Sequence, residues 1–492
     1  MSSRLYTAKQ VRELDRHAIE DLGIAGFDLM RRAAGAAWRV LRARWPRMAR
    51  LAVLCGGGNN GGDGYLLACL AREAGLPTVV LALAEPVTAD AKRARDAWRD
   101  AGGEIIPAEH GLPAADVYVD AIFGTGLARP VDGVVAETIR HMDATGRPVL
   151  ALDVPSGINA DTGAVMGTAV RAEITVSFIA RKRGLSTGAA LDYCGTVVLD
   201  RLGLPEEAFA NGAFDARLLD PRRMASWLPP RARGAHKGDC GHVLAIGGDA
   251  GMGGAIRLCA EAALRVGAGL VSAATRAENI AAINAARPEV MAHATTDATT
   301  ALTALFARAN VIALGPGLGQ SDWSRTLWRA ALGSHKPAVV DADALNLLAA
   351  QTAALPPGSV ITPHPGEASR LLGWSSERIA SDRFAAVREL ATRHRCVAVL
   401  KGAGTLIAHE RGDVAACPWG NPGMASGGMG DVLTGVIAGL MAQGLNAWRA
   451  ARLGVSLHAQ AGDAAAHGGE AGTLASDLFA HLRRLRNGLA DD

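Results

Sequence analysis

Cysteine is sparse in the chain and never paired in sequence. Seven cysteines are scattered over 492 residues, and none stands in a CxxC pattern. Their odd number and wide spacing predict neither a disulfide framework nor a zinc site, and they favour the reducing cytoplasm. Long apolar runs are also lacking, since none reaches the ~18 residues of a membrane span. The first residues contain no apolar core of the signal-peptide type, so we expect no membrane association.

An excess of charge of one sign is absent as well. Lys and Arg together number 51 and Asp and Glu 48, which leaves a net charge of +3. Such a balance provides no attraction to nucleic acid or to a membrane surface, so the expected ligands are small molecules bound at local sites. The chain also contains no Gly-Lys dipeptide, which excludes a phosphate loop of the GxxxxGKS/T type.

The length favours two domains, because 492 residues exceed the ~250 to 300 residues that one hydrophobic core serves. Short β-rich runs alternate with helical stretches in residues 51–200 and again in residues 241–460, which is typical of α/β units with mainly parallel sheets. Between them, prolines and arginines interrupt residues 218–239. We therefore predict domains at 1–219 and 220–492. The halves share no motif, which indicates a fusion of two different modules.

In the first half, a buried strand predicted at 51–55 runs into GGGNNGGDG and then into the helical YLLACLAREAG. The glycine-rich segment can be interpreted as an anion-binding turn between a strand and a helix. Alternatively, its glycines only shape a tight turn between the two. Asp120, Asp153 and Ser156 follow two later strands of the same half. Because strand ends of a parallel sheet converge on one crevice, these groups offer oxygen ligands for a hard cation and a carboxylate for proton transfer. The structural alternatives are that Asp153 caps the turn that follows it and that Asp120 is an acid at the end of a strand.

Taken together, GNNGGDG, DAIFGTGL and LDVPSG, with the N-terminal TAKQVRELDRHAIEDLGI, resemble the NAD(P)H-hydrate epimerase (YjeF N-terminal) family over residues 1 to about 215. The resemblance implies a Rossmann-like three-layer sandwich, with Asp153 as the base that epimerises a hydroxyl-bearing carbon of the reduced nicotinamide ring. It implies that potassium is bound by Asn60, Asp120 and Ser156. The substrate contacts that it implies are Asn59, Asn60, Gly61, Gly62, Asp63, Gly124, Thr125, Gly126, Leu127, Ala128, Arg129, Pro130 and Asp153.

The second half contains NPGMASGGMGDVLTG, residues 421–435, in which Asp431 directly follows a group of glycines at the start of an apolar helical run. Backbone N–H groups of such glycines and the positive end of the helix form an anion site, with Asp431 as a base beside it. Further strands are predicted to end at glycines or polar residues: Gly315, Gly317, Gly319, Asp341, Asp343, Asn346, His364, Glu367 and Lys401.

This order of motifs is similar to the GxGD element of ribokinase-like enzymes and, over nearly all of residues 222–492, to ADP/ATP-dependent NAD(P)H-hydrate dehydratases. The resemblance implies a ribokinase-like α/β/α domain in which phosphate is transferred to the ring hydroxyl and then departs. Asp431 would take the hydroxyl proton, and magnesium would stabilise the phosphoryl group. The implied nucleotide contacts are Lys401, Gly402, Ala403, Gly404, Thr405 and Gly430. The implied substrate contacts are Ala255, Gly317, His364 and Asp431.

Three hypotheses follow from the two halves. The first is a bifunctional repair enzyme that epimerises the R and S forms of hydrated NADH and NADPH and dehydrates the S form. The second is a ribokinase-like small-molecule kinase with an accessory first domain, which leaves Asn60, Asp120 and Ser156 without a role. The third makes the first half a non-catalytic binding module. The choices between ADP and ATP and between NADH and NADPH hydrates stay open, and a homo-oligomer is expected.

Overall fold

The computed structural model describes residues 3–210, 212–295, 300–351 and 353–488. The chain divides into two compact units, Met1–Ala216 and Arg217–Asp492. The change of unit falls a few residues before the position expected from the sequence, because the strand Ala216–Leu218 pairs with a strand of the second unit's sheet. The fold class predicted from the alternation of strands and helices, α/β in both halves, is confirmed.

The first unit contains a seven-stranded, fully parallel sheet with the order β4-β3-β2-β5-β6-β7-β8. The order reverses between β2 and β5, which makes their carboxyl ends the expected place for a ligand. The seven strands are β2 Leu51–Cys55, β3 Thr78–Ala82, β4 Glu104–Pro107, β5 Val117–Ala121, β6 Val149–Leu152, β7 Ile174–Phe178 and β8 Thr196–Asp200. A short strand outside this sheet, β1 Arg4–Leu5, precedes them in the chain. The helices are α1 Ala8–Glu20, α2 Gly26–Arg44, α3 Asn59–Glu73, α4 Ala89–Asp100, α5 Gly133–Ala144 and α6 Glu207–Ala210.

Alternate residues of β2 enter two different cores. Leu51 and Val53 pack with α2 and α3 on one face of the sheet, whereas Ala52 and Leu54 pack with α5 on the other. All five residues of the strand are buried, as the apolar run predicts. A sheet covered on both faces explains why its strands are continuously apolar, and it gives the three-layer sandwich that was expected.

Helix α3 begins earlier than the sequence suggests. It starts at Asn59, so the glycines of GNNGGDG lie in its first two turns and not in a loop before Tyr65. Glycine is required there because a Cβ at Gly61 would lie 1.9 Å from the carbonyl oxygen of Gly56, and one at Gly64 would lie 2.5 Å from the Ala121 side chain. The glycines therefore bring the helix close to β2 and β5, and only its N-terminus is left for ligands.

The second unit is built on a mainly parallel sheet in which β9-β18-β17-β16-β15-β14-β13-β10-β11-β12 lie side by side. Only β17 runs antiparallel to its neighbours. The strands are β9 Ala216–Leu218, β10 His242–Ile246, β11 Leu270–Thr275, β12 Met291–Ala294, β13 Val311–Leu314, β14 Ala338–Val340, β15 Val360–Ile361, β16 Val397–Leu400, β17 Leu406–Ala408 and β18 Val414–Ala416.

The helices of this unit flank the sheet, and α16 and α17 are its most buried long helices. Helix α16 begins at Met429, directly after Gly427 and Gly428, so Asp431 lies in its first turn as predicted and Gly430 lies inside the helix. The helices are α7 Pro221–Met224, α8 Gly253–Arg265, α9 Ile280–Ala286, α10 Thr300–Arg308, α11 Asp322–Gly333, α12 Asp343–Ala350, α13 Pro365–Leu372, α14 Ser376–Ser381, α15 Arg383–His394, α16 Met429–Ala442, α17 Ala447–Ala465 and α18 Leu478–Arg486.

The sequence also led us to expect neither a membrane-spanning helix nor a disulfide framework. Within the described ranges, no helix combines the length and the apolar character that a membrane crossing requires. All seven cysteines are free, and all but Cys69 are buried. Cys240 and Cys259 thus serve as small buried side chains.

Helix α16 packs tightly on α8 at Gly435. A Cβ at this position would lie 2.0 Å from the carbonyl oxygen of Cys259. We expect Gly435→Ala to destabilise the second unit by about 3 kcal/mol, because backbone cannot give way as a side chain can. The control is Gly333→Ala at the end of α11, where no atom lies within 4 Å, and a gain of up to about 1 kcal/mol is expected. Urea unfolding measures both, and equal stabilities would contradict the close packing.

Candidate active sites

A cavity of about 510 Å³ opens at the switch point of the first sheet. Residues after β2, β5, β6 and β7 line it, and α1 and α2 cover it. Of the contacts predicted from sequence, those that line the cavity are Asn59, Asn60, Asp63, Gly124, Thr125, Gly126 and Asp153. Those that lie outside its lining are Gly61, Gly62, Leu127, Ala128, Arg129 and Pro130. The structure thus brings the three separate motifs of the first half to one place.

Asp153 directly follows β6 and has a left-handed backbone, with φ of 66°. Its Oδ1 pairs with the ammonium group of Lys182, which is 1% exposed, and accepts a hydrogen bond from the Phe178 N–H at 3.3 Å. The same ammonium group donates to the Phe178 carbonyl at 2.8 Å and to Ser177 Oγ at 3.2 Å. Oδ2 points toward Gly124, where an added Cβ would lie 3.1 Å away. One carboxylate oxygen is therefore fixed, and the other faces the cavity.

Sequence reasoning did not identify Lys182, which is one of only six lysines in the chain and closely follows β7. Asp15 of α1 was missed as well, and it lines the same cavity. Burial, with the negative charge of Asp153, raises the pKa of Asp15. Burial raises the pKa of Asp63 well above its usual value, and Asp153 and Asp15 raise it further, against the lowering effect of Lys182. The cavity therefore holds carboxyl groups in different environments.

Asp120 and Ser156 form a buried polar pair next to Ile122 and Phe123, which line the cavity together with Asn60. Asp120 accepts hydrogen bonds from the Ser156 N–H at 2.7 Å, from Ser156 Oγ at 2.6 Å and from the Ile122 N–H at 3.2 Å. Burial raises the pKa of Asp120 to about 6, although these hydrogen bonds oppose the rise. Both amide atoms of Asn60 are buried and have no hydrogen-bond partner in the described part of the chain. A buried, unpartnered amide oxygen is the kind of oxygen ligand that a hard cation such as potassium takes.

In the second unit, an ion pair joins residues that are far apart in sequence. Lys401 follows β16, and its Nζ lies 2.6 Å from Asp341 Oδ1 and 3.7 Å from Glu367 Oε2. Thr434 of α16 donates to Asp341 Oδ2 at 2.9 Å. The sequence placed Asp341 at a strand end without a role, whereas the structure makes it the partner that orients Lys401.

Asp431 lies in the first turn of α16, beside this ion pair. Burial and the neighbouring Asp341 carboxylate raise its pKa to about 7, against the lowering effect of Lys401. Gly428, before the helix, has a φ of 91°. A Cβ at Gly430 would lie 3.2 Å from Asp341 Oδ2 and 3.3 Å from Lys401 Nζ, so glycine keeps the charged groups accessible. A carboxylate with a pKa near neutrality at a helix N-terminus suits a general base that acts beside a bound anion.

The remaining residues predicted for this site lie on turns at strand ends. Gly317 has a φ of 59°, and its added Cβ would lie 3.1 Å from the Ala255 side chain, so these two predicted contacts are neighbours. Gly402 and Gly404 also have positive φ, of 122° and 60°. Thr405 Oγ1 donates to the Gly402 carbonyl at 2.9 Å and closes the turn after Lys401. The turn thus presents backbone groups next to the Lys401 ammonium.

His364 is the N-cap of α13. Its Nδ1 accepts hydrogen bonds from the Gly366 N–H at 3.0 Å and the Glu367 N–H at 3.3 Å, and Glu367 accepts one from the His364 N–H at 2.8 Å. Burial and the charge of Lys401 lower the pKa of His364, which keeps Nδ1 an acceptor. His364 thus caps α13 through its ring nitrogen, and its side chain is still half exposed.

Comparison with known proteins connects each unit to a family. Residues 26–184 match the family described as YjeF-related protein N-terminus, and residues 243–484 match NAD(P)H-hydrate dehydratase. The bifunctional NAD(P)H-hydrate repair enzyme Nnr of Coxiella burnetii is 50% identical over 98% of this chain and 99% of that protein. The enzyme of the same name from Escherichia coli K12 is 44% identical over 98% of this chain and 94% of that protein. The chain belongs to the family of bifunctional NAD(P)H-hydrate repair enzymes.

Solved structures resemble the second unit. The ADP/ATP-dependent NAD(P)H-hydrate dehydratase of Bacillus subtilis, co-crystallised with ATP and Mg²⁺, is 29% identical and covers 56% of this chain and 99% of its own, with a TM-score of 0.50. A ribokinase-like superfamily protein of Enterococcus faecalis V583 is 30% identical, with coverages of 56% and 98% and a TM-score of 0.52. The predicted ribokinase-like fold is confirmed.

Membership of the NAD(P)H-hydrate repair family decides among the three hypotheses. The chain is an enzyme with an epimerase unit and a dehydratase unit, as the bifunctional interpretation predicted. The relatives match both halves together and are named bifunctional repair enzymes, which favours neither a kinase with an accessory first domain nor a non-catalytic first half.

Dehydration by this NAD(P)H-hydrate repair enzyme is expected to depend on the ionisation of Asp431. Its pKa is raised to about 7, and only the ionised carboxylate can accept a proton. The kcat/KM for dehydration should therefore fall about tenfold for each pH unit below about 7, and it should reach a plateau above pH about 7. Initial rates of recovery of reduced-nicotinamide absorbance measure the profile. A profile that is flat down to pH about 5 would contradict Asp431 as the base.

Proposed function

We propose that residues 1–219 interconvert the R and S forms of hydrated NADH and NADPH and that residues 220–492 dehydrate the S form. The dehydration uses ADP or ATP: phosphate is transferred to the ring hydroxyl and then leaves as inorganic phosphate, which restores NADH or NADPH. The observation that carries this proposal is that one chain holds two separate polar sites, each at the strand ends of its own sheet. We further propose that the enzyme works in the cytoplasm as a homo-oligomer.

In the epimerase unit, Asp153 acts as the base through Oδ2, while Lys182 holds Oδ1 and orients the carboxylate. The substrate occupies the cavity between the residues after β2, β5 and β6. Potassium is held by Asn60, Asp120 and Ser156, and it supplies a fixed positive charge beside the substrate. The unpartnered amide of Asn60 supports this assignment.

In the dehydratase unit, Asp431 takes the proton of the ring hydroxyl, and Lys401 neutralises charge on the phosphates. The nucleotide lies along the turn after β16 and the start of α16, where its contacts are Lys401, Gly402, Ala403, Gly404, Thr405 and Gly430. Ala255, Gly317 and His364 contact the hydrated cofactor. The described residues contain no cluster of three His, Cys, Asp or Glu side chains suited to a metal. Magnesium therefore enters mainly with the nucleotide phosphates, as is usual for this ion.

Phosphate analysis tests the dehydratase proposal. With the S hydrate, magnesium and either ADP or ATP, inorganic phosphate should be released in equal amount to the NADH that is recovered. A stable phosphoester without recovery of NADH would instead support a small-molecule kinase. Comparing ADP with ATP at matched concentrations decides which nucleotide is preferred.

Potassium removal tests the cation site. Exchange into a choline salt should lower epimerisation and leave dehydration of the pure S form unchanged. The potassium requirement should be higher at pH about 5 than at pH about 8, because protons compete for Asp120, whose pKa is raised to about 6. Titrations of epimerisation with potassium chloride at the two pH values measure this. Equal requirements at both values would contradict Asp120 as a ligand.

A further inference from the structure

The cavity of the first unit contains more acidic groups than cations. Its described lining holds four carboxyl groups and two cations: Asp15, Asp63, Asp90, Asp153, Arg12 and Lys182. Lys182 is committed to Asp153, and the exposed Arg12 donates to the Thr125 carbonyl at 3.3 Å. The Asp63 carboxyl group has no hydrogen-bond or ion-pair partner within the described ranges. A polar side chain that faces a cavity without a partner is available to a ligand.

Asp63 and Asp153 differ in their surroundings. Asp153 Oδ1 pairs with a buried ammonium group and accepts a hydrogen bond from an N–H donor. Asp63 is faced by Asp15 from α1, Cys55 from β2, and Asp153 and Lys182 from the loops after β6 and β7. Burial and the two neighbouring carboxylates raise the pKa of Asp63, which favours the protonated form. A carboxyl group without a partner and a carboxyl group paired with a cation therefore line the same cavity, which suits an acid and base pair.

We propose that Asp63 is the catalytic acid that works with Asp153 in epimerisation. This inference rests on the proposed epimerase function. Asp63 donates its proton to the departing hydroxyl group, the carbon–oxygen bond breaks, and the lone pair of the ring nitrogen forms a carbon–nitrogen double bond. The hydroxyl group leaves as water. A water molecule then adds to the other face of that carbon, the double-bond pair returns to nitrogen, and Asp153 Oδ2 accepts the proton of the entering water.

The charges of the cavity suit this sequence. The intermediate is a ring cation, and the ionised carboxylates of the lining stabilise its positive charge against the opposing charge of the potassium ion proposed beside the substrate. Exchange with solvent returns a proton to Asp63 and removes one from Asp153. The reaction therefore consumes nothing and changes only the configuration. In the reverse direction the two acids exchange roles, as microscopic reversibility requires.

The test uses the full chain without nucleotide, so that the dehydratase unit is silent, and follows the conversion of pure R hydrate to S by chromatography. The wild-type rate should decline at high pH as Asp63 ionises. Asp63→Asn should lower kcat by about 10²-fold or more with little change in KM, and its residual activity should lose the decline at high pH. A higher KM with an unchanged pH profile would reduce Asp63 to a binding role and overturn the proposal. Asp28→Asn, exposed on α2 outside the cavity, is the matched control and should behave as wild type.

A second measurement on the wild-type chain does not depend on the folding of a variant. In water enriched in oxygen-18, each inversion should place one labelled oxygen on the hydroxyl-bearing carbon. Inverted product that retains its original oxygen would overturn the proposed bond cleavage. If the wild-type chain converts no R to S hydrate at all, the epimerase function itself fails. If it converts R to S and Asp63→Asn does so equally well, only the inference about Asp63 fails.

Discussion

Asp431→Asn is expected to lower dehydration by about 10²- to 10⁴-fold while epimerisation continues at the wild-type rate. An amide has nearly the shape of the carboxyl group but cannot accept the hydroxyl proton. The substitution also removes a buried carboxyl group that is repelled by Asp341, so the fold should not suffer. The measurement is kcat for NADH recovery from pure S hydrate with ADP or ATP.

The matched control is Asp322→Asn, at the exposed start of α11, which should leave both activities unchanged. Binding of nucleotide to Asp431→Asn, followed by calorimetry, should persist, because Lys401 and the turn after β16 are intact. If kcat of the Asp431→Asn enzyme is within a few-fold of wild type, another group takes the proton and the account of the dehydratase site is wrong.

Asp153→Asn is expected to produce the converse result. Epimerisation should fall by about 10²- to 10⁴-fold, and dehydration of pure S hydrate should be unchanged. Asparagine tolerates the left-handed backbone at this position, where φ is 66°. The substitution does leave the buried Lys182 ammonium without its partner, which costs about 3–5 kcal/mol in stability if nothing compensates.

The double variant Asp153→Asn, Lys182→Met separates the loss of the base from the loss of stability. It removes the unpaired charge together with the base, so the first unit should regain thermal stability but not epimerisation. Recovery of activity in the double variant would contradict Asp153 as the base. Lys182→Met alone should lower kcat of epimerisation, since Asp153 would then lose the partner that holds its Oδ1.

The polar residues that sequence identified correctly as neighbours share one physical reason. Asn59 and Asp153 lie after β2 and β6, and Asp120 lies next to the last residue of β5, and parallel strands bring such positions to the same edge of the sheet. The relation between Asp341 and Lys401 was not predictable in this way. Their strands, β14 and β16, are separated by β15, so the pair depends on a strand order that no local pattern reveals.

Close packing explains two other differences between the structure and what the sequence predicted, namely the start of α3 and the burial of Lys182. The early start of α3 results from the close approach of Gly61 to the carbonyl oxygen of Gly56, and glycine in a sequence normally predicts a turn. The burial of Lys182 also has no local signature, because a lysine at a strand end usually reaches solvent. In both cases the decisive contact joins segments that only the folded chain brings together.

The central claim is that one chain both epimerises and dehydrates hydrated NADH. Its most direct test is the extent of recovery of reduced-nicotinamide absorbance from a racemic hydrate mixture with magnesium and ADP or ATP. The account predicts complete recovery, because the R form is converted to S as S is consumed. Recovery that stops at about half would show that only the dehydratase unit is active, since binding alone cannot invert the other epimer. No recovery with either nucleotide would contradict the dehydratase activity, and with it the claim that this chain repairs hydrated NADH.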